Sequence, residues 1–331
     1  MAQEKEKPLT REDVLHTIGR HGGSAWDLDL SGKTFVTDVD LSNLDLRGII
    51  LNKAVLLCAK FDGSNLKGAK LREANLQHAT FNKYNDKATN LREADLSGAS
   101  LEDAEFKEAD LEGAQFGDKE EPDMITPLFD TDFRGVNLRF TNFITCSFFR
   151  TKLEGAFLFA ADIYDSDLGD VDWGSYVIGE ESKRYFQTAE TVYRRLKTWY
   201  TQSGYRHIAA KFYYREKEAN RKSLKLCSRH RLAAEFMRVL FGYGEEWKRI
   251  FGWIAVVIFG LAGVYHFWGS FSSSSCWDTL YYSAVSFTAL GYGKWAPQPE
   301  GWAKGVGVAE AIIGGFMMAL LLVTFFRKWT R

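Results

Sequence analysis

The chain has 331 residues and a formal net charge of −1, with 46% hydrophobic and 26% charged residues. That length holds two or three domains. The near-neutral total hides a division: acids exceed bases between Ser31 and Ser175, and bases exceed acids between Lys183 and Ile250. The four cysteines, Cys58, Cys146, Cys227 and Cys276, have no paired spacing, so neither a disulfide framework nor a zinc pattern is expected.

Met1 to Asp13 is charged and lacks a hydrophobic signal region, so the first apolar span further on is expected to act as its own insertion signal. Residues 1–30 read as a helical cap. Thr10 to Ile18 has helical character, with Thr10 as N-cap and Asp13 three residues on as a variant of the capping box.

From about Thr34 the sequence repeats every five residues. A large apolar residue recurs at Leu41, Leu46, Leu51, Leu56, Phe61, Leu66, Leu71, Leu76 and Phe81, skips one slot at Asp86, and resumes in phase from Leu91 to Phe116. A small residue, most often alanine, lies two positions before most of them, as in Ala74-Asn75-Leu76 and Ala94-Asp95-Leu96. A period of five suits neither a helix nor a strand alternation. It suits a coil whose pentapeptides turn the large and the small residue inward and stack on neighbouring turns.

This pattern resembles the pentapeptide-repeat family. The resemblance implies a right-handed quadrilateral β-helix over 31–175. Gly117 to Asp130, with Pro122 and Pro127, reads as an extruded loop (117–130), after which the repeat returns two residues out of phase at Phe133, Leu138, Phe143 and Phe148. The breaks at Asp86 and in this loop read first as tolerated insertions, and they are better places than the regular faces to look for a ligand or protein partner. Asp162, Asp165, Asp167 and Asp170 follow the repeat and read as a solvated face rather than a metal site. Some members of the family resemble DNA in shape and charge. Uneven acid spacing and membrane tethering argue against that here, and nucleic acid is not an expected partner.

Residues 183–247 read as a basic cytoplasmic helical connector. Tyr185, Ala189, Val192, Tyr193, Leu196, Trp199 and Tyr200 recur at helical spacing, Ser203-Gly204 breaks the run, and Ile208, Ala209, Phe212 and Tyr213 resume it. That is an αα-hairpin with an aromatic core. Arg221 to Arg231 is strongly basic and directly precedes an apolar run, so it reads as a topology signal and an anionic-lipid contact. Gly242 and Gly244 are expected to bend the chain toward the membrane, with Trp247 and Trp253 at the interface.

Residues 248–331 contain two apolar runs of bilayer length, an outer helix at 250–268 and an inner helix at 305–327. Between them, Cys276 to Thr288 is too short to span and reads as a re-entrant helix, followed by Thr288-Ala289-Leu290-Gly291-Tyr292-Gly293. The arrangement resembles the pore module of potassium channels. It implies a homotetramer in the plasma membrane with both termini cytoplasmic, permeant potassium ions, and no cofactor. It also implies a pore helix at 276–288 and a selectivity filter at 288–293, whose backbone carbonyls replace the ion's hydration shell. Gly291 and Gly293 fit positions of positive φ in such a filter.

Two residues depart from the family's usual Thr-Val-Gly-Tyr-Gly-Asp. Ala289 lacks the hydroxyl of the innermost ion site, and Lys294 puts a base at the outer mouth, opposing cations unless it pairs with Glu300. Glu310 is an intramembrane acid, functional or paired by default, and two uses stand open for it: stabilising the region behind the filter, or sitting at the wet outer interface. Gly314 and Gly315 stand where the family's gating hinge falls, and close helix packing is the competing use. Met317, Met318, Leu321 and Phe325 are expected to line the inner pore. No nucleophile, base or metal cluster stands out, so an enzyme is not expected. The reading of a different class is a membrane-anchored scaffold with a degenerate or non-selective pore.

Overall fold

The computed structural model describes residues 7–329 apart from 119, 122, 164, 245–246, 269–274 and 291–299. The chain divides into two compact units, Met1–Ser223 and Leu224–Arg331.

In the first unit, parallel bridges join residues 20 apart: Asp40 with Lys60, Asp45 with Asn65, Ile50 with Lys70. A turn of the coil therefore holds four pentapeptides. The backbone is satisfied from turn to turn, as in Leu41 N–H to Lys60 C=O at 2.7 Å and Lys60 N–H to Val39 C=O at 2.9 Å. The large and small repeat residues are both buried, Leu46, Leu56, Ala54 and Ala59 completely. Phe61, Phe81, Phe106 and Phe133 form a stacked column with ring centroids 4.9, 4.6 and 5.0 Å apart. Where serine or threonine takes the small inward position, its hydroxyl donates to a carbonyl of the previous turn. Ser64 reaches Leu41 at 2.7 Å and Thr141 reaches Leu111 at 3.0 Å. Buried hydroxyls at this repeat position thus keep partners.

One regular feature has no counterpart in the sequence reading. Two residues after most of the large inward residues the backbone enters the left-handed region, at Asn43, Gly48, Lys53, Cys58 and Gly63 among others. Glycine takes that conformation freely, and the other residues bear roughly 1 kcal/mol each. So many residue types stand there that no composition signal marks the turn.

Both interruptions have a simple geometry. The bridge spacing rises from 20 to 25 residues at Asn65–Asn90, and to 27 at Glu105–Asp132. Five extra residues preserve the phase; seven shift it by two. The first excursion is a tight antiparallel turn, Tyr84 bridging Lys87 with Asn85 and Asp86 at positive φ. The second is shorter than the expected 117–130. Thr126–Pro127 (β1) pairs in parallel with Cys146–Ser147 (β2), and Leu128 is fully buried, so the coil resumes at Thr126. The excursion packs back on the coil through Met124 over Gly98 and through Arg72, whose guanidinium lies 3.0 Å from Asp118 and 3.4 Å from Glu121. At its root only glycine fits, because a Cβ on Gly117 would overlap the Ile144 carbonyl.

Helices close both ends of the coil. At the N-terminal end, α1 (Arg11–Arg20) starts at the expected capping box: Thr10 Oγ1 accepts from Asp13 N–H, and the Asp13 carboxylate accepts from Thr10 N–H at 2.9 Å. At the other end stand α2 (Gly179–Ser182), α3 (Phe186–Gln202) and α4 (Arg206–Ser223). The expected hairpin is α3–α4, but it belongs to this unit rather than to a separate connector. The last turn of the coil offers Trp173 and Tyr176 to Phe212 edge-on, and Trp173 Nε1 donates to the Tyr200 hydroxyl at 2.7 Å. Tyr200 in turn donates to Leu168 C=O at 2.7 Å. The cap also buries Glu180 completely. Its Oε1 accepts from Phe159 N–H at 2.9 Å, Arg139 lies 3.7 Å away, and Oε2 has no hydrogen-bond partner among the described residues. Burial pushes this carboxyl above its usual range.

The regular structure of the second unit, among its described residues, is helical. Its elements are α5 (Arg229–Phe241), α6 (Trp247–Trp268), α7 (Cys276–Thr288) and α8 (Trp302–Trp329). Gly242 ends α5 in the left-handed conformation, φ 50°, and Tyr243 follows at φ 56°, which makes the expected bend before the first span. Both α6 and α8 are long and apolar enough to cross a membrane.

Candidate pore region

The short helix α7 lies among the two long ones, and the packing falls into two buried clusters. Ile250 and Ile254 of α6, Phe287 of α7 and Met317 of α8 form one; Tyr265, Tyr282 and Ala303 form the other. At 13 residues α7 is about 20 Å long, too short to cross a hydrocarbon core of about 30 Å.

On α8 the buried positions are Ala303, Gly307, Glu310, Gly314, Met317 and Thr324, with Leu321 partly buried between the last two. That alternation of three and four is one helix face. It brings Glu310 against both other helices. Tyr265 of α6 donates its hydroxyl to Glu310 Oε2 at 2.8 Å, and Ser283 Oγ of α7 lies 2.5 Å from Oε1. Ser283 Oγ also lies 2.9 Å from the Ile258 carbonyl of α6. One turn further along α8, Gly314 meets the backbone of α7: a Cβ there would stand 1.9 Å from the Phe287 carbonyl oxygen. The adjacent Gly315 faces open space. Of the two expected hinge glycines, Gly314 is therefore used for close packing.

Thr288 does not start an extended filter. It is the last residue of α7, and its hydroxyl donates to Ala284 C=O at 2.8 Å. Ala289 then takes the left-handed conformation, φ 52°, and leads the chain out of the helix. That conformation bears on the missing hydroxyl: a β-branched threonine at 289 would be a backbone outlier. Leu290 is exposed, as is Glu300. Gly291, Tyr292, Gly293 and Lys294 lie outside the described residues.

The expected inner-pore residues divide. Met317 is buried against α6 and α7, and Leu321, partly buried, packs on the same cluster. Met318 and Phe325 are exposed, Phe325 lying edge-on to Trp247 at 6.1 Å. An inner helix apolar on every side gives no periodicity from which to choose its packing face. The partners of Glu310 were equally hidden, since Tyr265 and Ser283 are 45 and 27 residues away in sequence.

Comparison with known families decides what this three-helix unit is. The ion channel family matches residues 250–331, and pentapeptide repeats match in eight copies over 37–72, 59–83, 87–118 and 128–168. The chain carries pentapeptide repeats and an ion channel domain. It is a membrane protein, and neither family is enzymatic.

Solved structures similar to the coil are pentapeptide-repeat proteins. One is HetL from the cyanobacterium Nostoc sp. strain PCC 7120, 19% identical, covering 50% of this chain and 98% of its own, with a TM-score of 0.15. Another is QnrB1, a plasmid-mediated fluoroquinolone resistance protein, 18% identical over 45% of this chain and 83% of its own, TM-score 0.22. A third is Rfr23 from the cyanobacterium Cyanothece 51142, 17% identical over 48% and 99%, TM-score 0.20. No curated protein matches the chain.

Proposed function

We propose that four copies of this chain form a potassium-selective channel in the plasma membrane, with both termini in the cytoplasm and a right-handed, four-sided coil on each copy as sensor or scaffold. The observation that carries the reading is the short helix α7, held between two helices of spanning length and followed by Gly291-Tyr292-Gly293. The carbonyl end of α7, with its partial negative charge, favours a cation beyond it.

The outer faces of the channel domain support assembly. Phe259, Ile312, Phe316 and Leu290 are all more than 60% exposed in the single chain. Side chains of this kind call for lipid or another copy. In such an assembly Met318 and Phe325 are the remaining inner-helix candidates for the pathway, and Gly315 is the free hinge glycine.

The basic side reads as a contact for anionic lipid. Arg238, Arg249 and Trp253 line an open cleft with Val239, Gly252 and Val256 where α5 meets α6. Basic groups over an apolar floor beside a span suit a phospholipid headgroup and its chain.

Purified full-length protein in liposomes tests the whole. A potassium flux that exceeds the sodium flux, from tetramers, is the expected result. Intact tetramers without flux would favour the membrane-anchored scaffold instead.

A further inference from the structure

We propose that Glu310 is a positioning residue: it pins the short helix α7, and with it the start of the ion pathway, to both membrane-spanning helices through hydrogen bonds rather than through charge. This inference rests on the reading of α7 as the pore helix.

A carboxyl group buried among apolar helices is costly without partners. Glu310 is 1% exposed, and both its oxygens are engaged, one by each of the other two helices. The three groups lie far apart in sequence and meet at one point. The anchor is placed where it bears on the pathway. Gly314, one turn along, lets the α8 backbone press on the Phe287 carbonyl. Phe287 immediately precedes Thr288 and the left-handed Ala289, where the chain leaves α7. A hydrogen bond at Ser283 and a backbone contact at Phe287 therefore fix α7 at two points, a helical turn apart, next to that exit.

The proton inventory separates this role from an electrostatic one. The Ser283 hydroxyl has one proton and two acceptors in reach, Ile258 C=O at 2.9 Å and Glu310 Oε1 at 2.5 Å. A glutamine at 310 supplies the second donor. Its amide N–H points to Ser283, Ser283 donates to Ile258, and its carbonyl accepts from Tyr265. Glutamine keeps the whole network and removes any charge; leucine keeps the volume and removes the network. A carboxylate acting to attract permeant cations predicts the reverse ranking for glutamine.

The experiment compares full-length wild type, Glu310→Gln, Glu310→Leu, Ser283→Ala and the Glu310→Leu/Ser283→Ala pair. Two readouts are used: hydrogen exchange of residues 276–288 in detergent, and the potassium-over-sodium flux ratio in liposomes. Glu310→Leu is expected to speed exchange in α7 by about tenfold, the order expected for a lost hydrogen bond to a buried group, and to lower the flux ratio. Glu310→Gln is expected to stay within about twofold of wild type in both. The pair should be no worse than Glu310→Leu alone, since both changes break one network.

Wild-type exchange and selectivity in Glu310→Leu would overturn the proposal, as would Glu310→Gln behaving like Glu310→Leu. If Glu310→Leu fails to assemble, Ser283→Ala decides: faster exchange in α7 supports the anchor, and unchanged exchange overturns it. Absence of any flux from wild type would defeat the channel reading, and the exchange data would then judge the anchor alone.

Discussion

Phe81 and Phe316 both sit in regular structure, and their surroundings could hardly differ more. Phe81 is fully buried, stacked between Phe61 and Phe106 one coil turn away on either side. Phe316 stands 62% exposed on α8. In the coil, each turn of the chain supplies the cover for the turn before it, and two helical caps close the ends. In the channel domain the single chain covers one face of each long helix and leaves the other bare. The coil is complete as a single chain. The channel domain has surfaces that only lipid or further copies can satisfy.

The largest expected effect that sharpens this contrast is in the coil. Phe106→Ala opens a cavity in the stacked column and should cost about 3–5 kcal/mol, read as a lower denaturant midpoint for the coil. Phe316→Ala should leave that midpoint unchanged and instead weaken assembly, read by the size of the particle in detergent. Equal loss of coil stability in both variants would break the comparison.

Gly314→Ala comes next. Overpacking against the Phe287 carbonyl should cost about 1–3 kcal/mol in the thermal stability of the channel domain. Gly315→Ala, facing open space, should show no such loss and even a slight gain from helix propensity. If the two alanines behave alike, the packing assigned to α8 is incorrect.

A smaller effect concerns Glu180. Burial raises its folded-state affinity for a proton above that of the unfolded chain. The folded state thus binds more protons, and this group's contribution to stability must fall as pH rises from the usual carboxylate range through the raised value. Thermal melts of wild type against Glu180→Gln between about pH 4 and pH 8 check the sign. The variant should lose that slope and be at least as stable near neutrality. Asp132 works in the opposite direction and is the internal control: burial alone would raise it, but hydrogen bonds from Arg134 bring it below its usual range. Its contribution is therefore lost as pH falls.

The smallest effect is at Ala289. Replacement by glycine should relieve a left-handed backbone and stabilise the channel domain by at most about 1 kcal/mol. Destabilisation instead would show that the turn out of α7 differs from the one described.

The same contrast governs what could be read from the sequence. The repeat was legible because inward residues recur in a chain that covers itself: Leu46, Leu66 and Ala54 had to be apolar, and are. The capping box at Thr10 and Asp13 was legible because it is local. The left-handed turn was not, because Asn43, Lys53 and Cys58 share a backbone shape and no chemistry. Nor was the return of the coil at Thr126, where two prolines in the stretch pointed to loop. In the channel domain the order of helices was plain from length and hydrophobicity. The orientation of α8 was not: nothing in its hydrophobicity shows that Met317 packs against α6 and α7. The small residues Ala303, Gly307 and Gly314, spaced with Glu310, were the available clue to that face.

The parallel pairing at 20 residues has a consequence for how such a chain can change. Each turn is a module one strand spacing tall, about 4.8 Å. Loss or gain of 20 residues moves the two ends of the column closer or further by that amount and leaves every remaining side chain on its own face. The coil can thus be lengthened in fixed steps without rotating its faces, and the α3–α4 cap would travel with the end.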